Sequence, residues 1–256
     1  KDFIKFTCIM KFVKKNVLVT GSTGFIGRNL VLSLLEEGSR VTGISLEKNL
    51  FRKKEFYKHR REPIIPGISL EHYDLIFHLA GTGYGNDSLD ESFIMKTNLD
   101  CTINLLEGIP APQRTVFVFA SSCSIYGNNS NSADEGLNPE PNSFYGKSKY
   151  SAEEYIKKFS EDNGMKIIIA RIFNVYGLED KNSIIFKIIN SIKKDKKMPL
   201  NPNLVRDFIH IDDVIYGLQF LSKNGSGIYN LGSGVGASLE NVCLSVEKII
   251  GKDLLK

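Results

Sequence analysis

In "NSFYGKSKYSAEEY", residues 142–155, Tyr145 and Lys149 stand four apart and share one face of a helix. A phenol with an ordinary pKa of ~10 moves protons poorly at neutral pH. An ammonium one helical turn away favours the phenolate, and an oxidised nicotinamide ring adds to that field. Tyr-x-x-x-Lys pairs also occur on helices that merely face solvent. This one is accompanied by "ASSCSIYG" (120–127), which closes a run of β-formers and places hydroxyls at a strand end. A serine there can hydrogen-bond a reacting oxygen while the tyrosine carries its proton. Ser121, Ser122 and Ser124 are the candidates.

A second cluster has a different chemistry. "NVLVTGSTGFIGRNL" (16–30) spaces Gly21, Gly24 and Gly27 three apart, where a strand gives way to a helix. Glycine in a helical turn costs roughly 1 kcal/mol relative to alanine, so a local demand must offset it. A dinucleotide supplies one. Gly21 allows the tight turn, Gly24 lets a diphosphate approach the backbone, and Gly27 lets the helix pack closely. The helix that opens with Phe25 and Ile26 then presents unpaired N–H groups and a positive dipole to the phosphates. A glycine-rich turn without a ligand is the alternative, and the strand–glycine–helix order weighs against it.

The elements around these clusters alternate. Apolar β-type runs at 16–20, 40–44, 74–80, 115–121 and 166–172 are interleaved with helical patterns at 25–37, 89–107 and 145–160. Near-continuous apolar strands separated by helices predict a Rossmann-type, doubly wound α/β sheet, with ligands beyond the carboxyl ends of the strands. The chain has 256 residues, 42% hydrophobic and 24% charged, which suits a globular protein. Its net charge of +4 is too small to argue for nucleic acid, and no apolar run reaches membrane-spanning length. Cys8, Cys101, Cys123 and Cys243 show neither metal spacing nor a paired framework, so the expected setting is reducing and cytoplasmic, with no metal. His78 and His210 lack partners at metal spacing and are read as structural. "MKFVKKNVLVT" from Met10 resembles a natural start, so residues 1–9 are set apart from the fold.

With these pieces in hand, the sequence resembles the extended short-chain dehydrogenase/reductases, in the nucleotide-sugar epimerase/dehydratase group. The matching motifs are "TGSTGFIG" (20–27), "HLAG" (78–81), "TNLDCTINLLE" (97–107), "SSCSIYG" (121–127), "YGKSK" (145–149), "RIFNVYG" (171–177), "RDFIHIDDV" (206–214) and "YNLGSG" (229–234). The resemblance implies a catalytic trio of Ser122, Tyr145 and Lys149. It implies cofactor contacts from Gly21, Gly24, Phe25, Ile26, Gly27, Ser45, Ala80 and Asn98, with Asn98 also supporting the active-site helix. Asn174 and Arg206 would hold the diphosphate of a nucleotide-sugar; alternatively, Asn174 shapes a turn and Arg206 pairs with Asp207, Asp212 or Asp213. The aspartates could equally cap a helix at 212–222.

Departures from the family pattern narrow the expectation. Dehydratases of this group carry acids at the positions held here by Cys123 and Ser124, which disfavours a 4,6-dehydratase. Strand two ends at Ser45 and is followed by Glu47, Lys48, Arg52 and Lys53, so NADP is possible and Glu47 keeps NAD open. Residues 46–73 are tight for a helix plus a third strand. The expected architecture is a Rossmann domain over 10–177, rejoined by 206–231 and its strand at 228–231. A small substrate-binding lobe is expected mainly within 178–256. Relatives pair the helices at 89–107 and 145–160 across a two-fold axis, which makes a homodimer the expectation. The leading reaction is epimerisation by hydride transfer at C4 of the sugar. An NADPH-dependent 4-keto-sugar reductase and a non-catalytic dinucleotide sensor are the alternatives.

Overall fold

The computed structural model describes residues 15–51, 55–82, 90–128, 133–194 and 199–251. Its strands are β1 (Asn16–Thr20), β2 (Arg40–Ser45), β3 (Tyr57–Arg61), β4 (Leu75–His78), β5 (Val116–Ser122), β6 (Lys166–Ile172), β7 (Asn174–Tyr176), β8 (Val205–His210), β9 (Gly227–Leu231) and β10 (Gly236–Ser238). The α-helices are α1 (Phe25–Glu36), α2 (Glu91–Met95), α3 (Cys101–Glu107), α4 (Phe144–Asn163), α5 (Ile184–Lys193), α6 (Ile211–Asn224) and α7 (Leu239–Ile250).

Seven strands form one sheet in the order β3-β2-β1-β4-β5-β6-β9, with every neighbouring pair parallel. The strands read as continuous apolar runs because both faces are covered. Val17 and Val19 of β1 join one core with Leu30, Leu34, Val214 and Leu218 from α1 and α6. Leu18, pointing the other way, joins a second core with Leu105, Leu106, Ala152 and Ile156 from α3 and α4. Strand order reverses between β1 and β4, which opens a crevice at their carboxyl ends.

α4 carries the tyrosine–lysine pair. Ser143 caps it by accepting from the Gly146 N–H at 3.0 Å, and Gly164 closes it with φ of 64°. A separate sheet, β10-β8-β7, pairs β8 antiparallel to β10 and parallel to β7. Beside it α5 and α7 bury Ile188, Ile192 and Cys243 as a third small core. The small sheet thus takes strands from 174–176 and 205–210, stretches the sequence reading grouped with the larger unit.

The helical stretch expected over 89–107 runs from Glu91 to Glu107, with a π-turn at Lys96–Asp100 between α2 and α3. There Asn98 is buried, and the Thr102 hydroxyl donates to its carbonyl at 2.6 Å. Residues 46–73 hold β3, and the described residues among them form no helix. The N-cap of α6 is His210, whose Nδ1 accepts from the Asp212 N–H at 3.3 Å, so neither aspartate caps it.

Candidate active site

The carboxyl end of β5 and the first turns of α4 bring Ser122, Tyr145 and Lys149 together. Tyr145 hydrogen-bonds Ser122. Ser124 donates to Ser122 Oγ at 3.0 Å through its hydroxyl and at 3.2 Å through its backbone N–H. Ser122 is therefore the hydroxyl joined to the tyrosine, while Ser121 faces away and donates to Glu153. Lys149 is buried; its Nζ donates to the Ala120 carbonyl at 2.8 Å and lies 4.6 Å from the centre of the Phe119 ring.

Burial sets the electrostatics of this group. It pushes the Tyr145 phenol up to about 12, against the pull of its Ser122 hydrogen bond. It lowers the Lys149 ammonium to about 8, opposed by the carboxylate of Glu153. The chain alone thus leaves Tyr145 protonated at neutral pH, and the expected phenolate calls for the nicotinamide charge beside that of Lys149. A further positive charge beside the phenol is needed before it can act as a base.

The glycine turn sits across the β1–β4 crevice. Gly21 has φ of 66°, and a Cβ there would meet the Ala80 nitrogen and Leu79 carbonyl at 2.8–2.9 Å. A Cβ on Gly27 would lie 2.1 Å from the Gly21 carbonyl oxygen, so this glycine lets α1 close on the turn. Gly24 is different: it is exposed at the N-cap, and its Cβ would meet only the Gly21 oxygen, at 3.2 Å. The space a side chain would fill there opens toward the helix N-terminus, with Phe25 and Ile26 in its first turn. This geometry fits a diphosphate.

Ala80 and Asn98 close the floor of the crevice through a directed chain of hydrogen bonds. The Ala80 N–H donates to Thr20 Oγ1 at 3.2 Å, and Thr20 lies 2.7 Å from His78 Nδ1. On the other side His78 Nε2 lies 2.9 Å from Thr102 Oγ1, whose proton is already given to the Asn98 carbonyl. The imidazole therefore donates from Nε2 and accepts at Nδ1, which requires the neutral ring. Burial agrees, lowering His78 to about 3 with help from the Lys149 charge. Asn98 Oδ1 accepts from the Thr82 N–H at 2.8 Å, and its Nδ2 donates to Ser148 Oγ at 2.9 Å, tying the loop after β4 to α4.

Ser45, the last residue of β2, is buried and donates to the Glu47 carbonyl at 3.3 Å. Register pairs it with Arg61, an exposed base that sequence reasoning missed because β3 was not recognised. The expected bases Arg52 and Lys53 lie outside the described residues. On the small sheet, Asn174 Nδ2 donates to the Asp207 carbonyl at 2.9 Å, so its amide joins β7 to β8. Arg206 is exposed and has no ion-pair partner among the described residues; Asp207 instead binds Ser233 and Gly234. Arg206 and Asp207 both act on Cys123, which places β8 beside the end of β5.

Sequence reasoning also missed a buried network. Arg171 on β6 grips Glu153 through Nη2 at 2.8 Å and through Nε, and donates from Nη1 to Tyr126 OH at 2.9 Å. Tyr126 OH donates in turn to Asn230 Oδ1 at 2.7 Å. The signal was present: Glu153 is four residues past Lys149 on the same helix face.

These features belong to a known class of protein. The profile of the NAD dependent epimerase/dehydratase family matches residues 17–232, and the chain belongs to that family. Within it, the chain is 30% identical to an ADP-L-glycero-D-manno-heptose-6-epimerase of Brachyspira hyodysenteriae, over 91% of this chain and 80% of that protein. Among solved structures it is similar to a UDP-glucuronic acid 4-epimerase of Bacillus cereus, a tyrosine-to-phenylalanine mutant in complex with UDP-4-deoxy-4-fluoro-glucuronic acid and NAD. That match has a TM-score of 0.86 and 27% identity, covering 94% of this chain and 85% of the other. A UDP-N-acetylglucosamine 4-epimerase of Methanobrevibacter ruminantium, in complex with UDP-N-acetylmuramic acid, gives a TM-score of 0.84 at 25% identity, covering 94% and 84%.

Proposed function

We propose that the chain is an NAD-dependent nucleotide-sugar epimerase that inverts carbon 4 of the sugar. The observation that carries this reading is the joining of Ser122, Tyr145 and Lys149 beside a glycine cradle shaped for a diphosphate. Gly21, Gly24, Phe25, Ile26 and Gly27 hold the cofactor diphosphate, Ser45 faces the adenosine ribose, and Ala80 and Asn98 floor the nicotinamide end. Held there, NAD would supply the reversible hydride acceptor that inversion at a carbon requires.

Tyr145 works as the base. The positive charge it needs comes from the oxidised nicotinamide together with Lys149, and both favour the phenolate. Tyr145 takes the proton of the C4 hydroxyl as that carbon gives up hydride, and Ser122 hydrogen-bonds the same oxygen. The 4-keto sugar turns over between Ser122 and the small sheet, and Tyr145 returns the proton as hydride arrives on the opposite face. Arg206 and Asn174 hold the nucleotide diphosphate during that turn; a guanidinium gives it bidentate, charge-assisted bonds. Neither Cys123 nor Ser124 can serve as the acid that expels water in a dehydratase. Burial pushes the Cys123 thiol up to about 11, so it stays neutral.

The same relay applied at carbon 6 of a nucleotide heptose is a second reading, favoured by the Brachyspira relative. In either case the protein works as a homodimer in the cytoplasm, with α3 and α4 meeting their counterparts across a two-fold axis. Among the described residues no helix is long and apolar enough to cross a membrane. The test incubates NAD-loaded protein with UDP-glucose, UDP-glucuronic acid and an ADP-heptose and follows sugar protons by NMR. Inversion at C4 supports the first reading, and inversion at C6 of the heptose alone replaces it with the second. Net oxidation of NADPH by a 4-keto sugar without epimerisation identifies a reductase. Dinucleotide binding with no turnover leaves a sensor.

A further inference from the structure

Glu153 lies one helical turn beyond Lys149, in α4, fully buried. Its carboxylate ties this helix to two strands at once. It accepts from Ser121 Oγ on β5, and Ser121 stands between the Ala120 carbonyl that receives Lys149 and the Ser122 hydroxyl that meets Tyr145. Arg171 on β6, 1% exposed, clamps both carboxylate oxygens. Tyr126 then accepts from the other end of the guanidinium and donates in turn to Asn230. Lys149, Glu153 and Arg171 thus form a buried line of alternating charge behind the reacting groups.

Resting on the epimerase reading above, we propose that Glu153 is a positioning residue of the proton relay. Its carboxylate stabilises the Lys149 ammonium and pins the β5 segment that presents Ala120 and Ser122, while Arg171 keeps the carboxylate in place. A buried ion pair is weak evidence for stability, since well-packed apolar residues often serve as well. A carboxylate facing a catalytic ammonium changes the proton equilibrium in a way apolar packing cannot.

The electrostatic surroundings of Lys149 support this. Its ammonium is lowered to about 8 by burial, and the charge opposing that drop is Glu153. From β4 the neutral His78 lies within its field, and its Nζ is 4.6 Å from the Phe119 ring of β5 and bonded to the Ala120 carbonyl; Arg171 of β6 is paired with Glu153. Glu153 is the nearby anion among these groups. Without it the ammonium would lose its proton closer to neutrality, and the phenolate would lose its partner.

The experiment uses NAD-loaded protein with Glu153→Gln, which removes the charge yet can still accept from Ser121. The Lys149 titration is read from its 15Nζ resonance, assigned by its loss in Lys149→Met, and the alkaline limb of kcat/KM is measured alongside. Both should move down by about 1 pH unit, the effect of one close opposite charge. Because Glu153→Gln leaves Arg171 buried without its partner and could unfold the protein, Glu153→Gln/Arg171→Met is the second variant. It should fold and show a smaller downward shift, since the repelling guanidinium is gone as well. An unmoved Lys149 midpoint in a folded variant overturns the proposal, as does a lowered melting temperature with the alkaline limb in place. The resonance needs no turnover. A shift in the variant, together with wild-type protein that epimerises nothing, therefore overturns the functional reading alone.

Discussion

Two regions lie side by side at the candidate site, and they are built in opposite ways. At the carboxyl end of the large sheet Lys149, Asn98, Glu153 and Arg171 are all buried, each held by hydrogen bonds to other elements. On the small sheet Arg206 and Val205 stand in solvent, and the turn at 232–234 is organised by a single carboxylate, Asp207. Buried polar groups must be fully paired, because an unsatisfied one costs about 1–3 kcal/mol. Their geometry is therefore hard to change. Exposed side chains carry no such constraint, so substitutions on the small sheet are tolerated where those in the buried network are not.

The contrast is broken most severely at the relay. Tyr145→Phe removes the hydroxyl proposed to move the proton and keeps the ring. Turnover should fall about 10²- to 10⁴-fold with dinucleotide binding nearly intact, in a single-turnover assay paired with calorimetry. Near-normal turnover would mean that another residue carries the proton and that the closed region is not where the chemistry happens.

The next effect belongs to the same closed region and is read in stability. The folded state keeps His78 neutral down to about 3, whereas an unfolded histidine binds its proton near 6.5. The stability this contributes is complete above pH 6.5 and is lost progressively as pH falls toward 3, to a limit on the order of 5 kcal/mol. Urea unfolding of the wild type should show a steep acid loss over that window, reduced in His78→Gln. A His78 ring-proton resonance titrating near its ordinary value in folded protein would refute the neutral relay of Thr20, His78 and Thr102.

On the open side the effect should be smaller and of another kind. Arg206→Met should raise KM for a nucleotide-sugar roughly 10- to 100-fold by removing a charge-assisted contact of about 1.5–3 kcal/mol, with kcat little changed. Steady-state kinetics separates the two regions here. A loss in kcat at constant KM would place Arg206 with the relay instead.

Legibility in the sequence follows the same division. Parallel strands buried on both faces had to read as apolar runs, and the glycine turn and the Tyr145–Lys149 spacing are local patterns, so all of these were visible. What stayed hidden depends on tertiary contact. β3 is "YKHRR", only partly buried at the sheet edge, and carries no apolar run to announce it. The π-turn in the 89–107 helix holds Asn98, whose amide reaches Thr82 on one side and Ser148 on the other. The sign of the Tyr145 shift depends on burial, opposed by the Ser122 hydrogen bond, while the Lys149 ammonium is turned to the Ala120 carbonyl. That the Asn174 amide also bonds the Asp207 carbonyl depends on the pairing of β7 with β8 and was equally hidden.

The smallest expected effect tests the far end of the closed region, where it meets solvent. Ser45 ends β2 beside Arg61, and its hydroxyl is turned to the Glu47 carbonyl. A neutral residue next to an exposed base discriminates weakly between a ribose hydroxyl and a 2′-phosphate. Ser45→Asp adds a carboxylate that accepts from the hydroxyls, repels the phosphate and can pair with Arg61. The preference for NAD over NADP should therefore rise by about 10-fold, equivalent to ~1.4 kcal/mol, in paired fluorescence titrations of the two dinucleotides. Arg61→Met should act in the same direction by withdrawing the base from the phosphate. If Ser45→Asp leaves the ratio unchanged while Glu47→Gln lowers it, the ribose is held from Glu47. The recognition of this end of the cofactor would then lie in the exposed loop after β2, and the boundary between the closed and open regions would move inward by two residues.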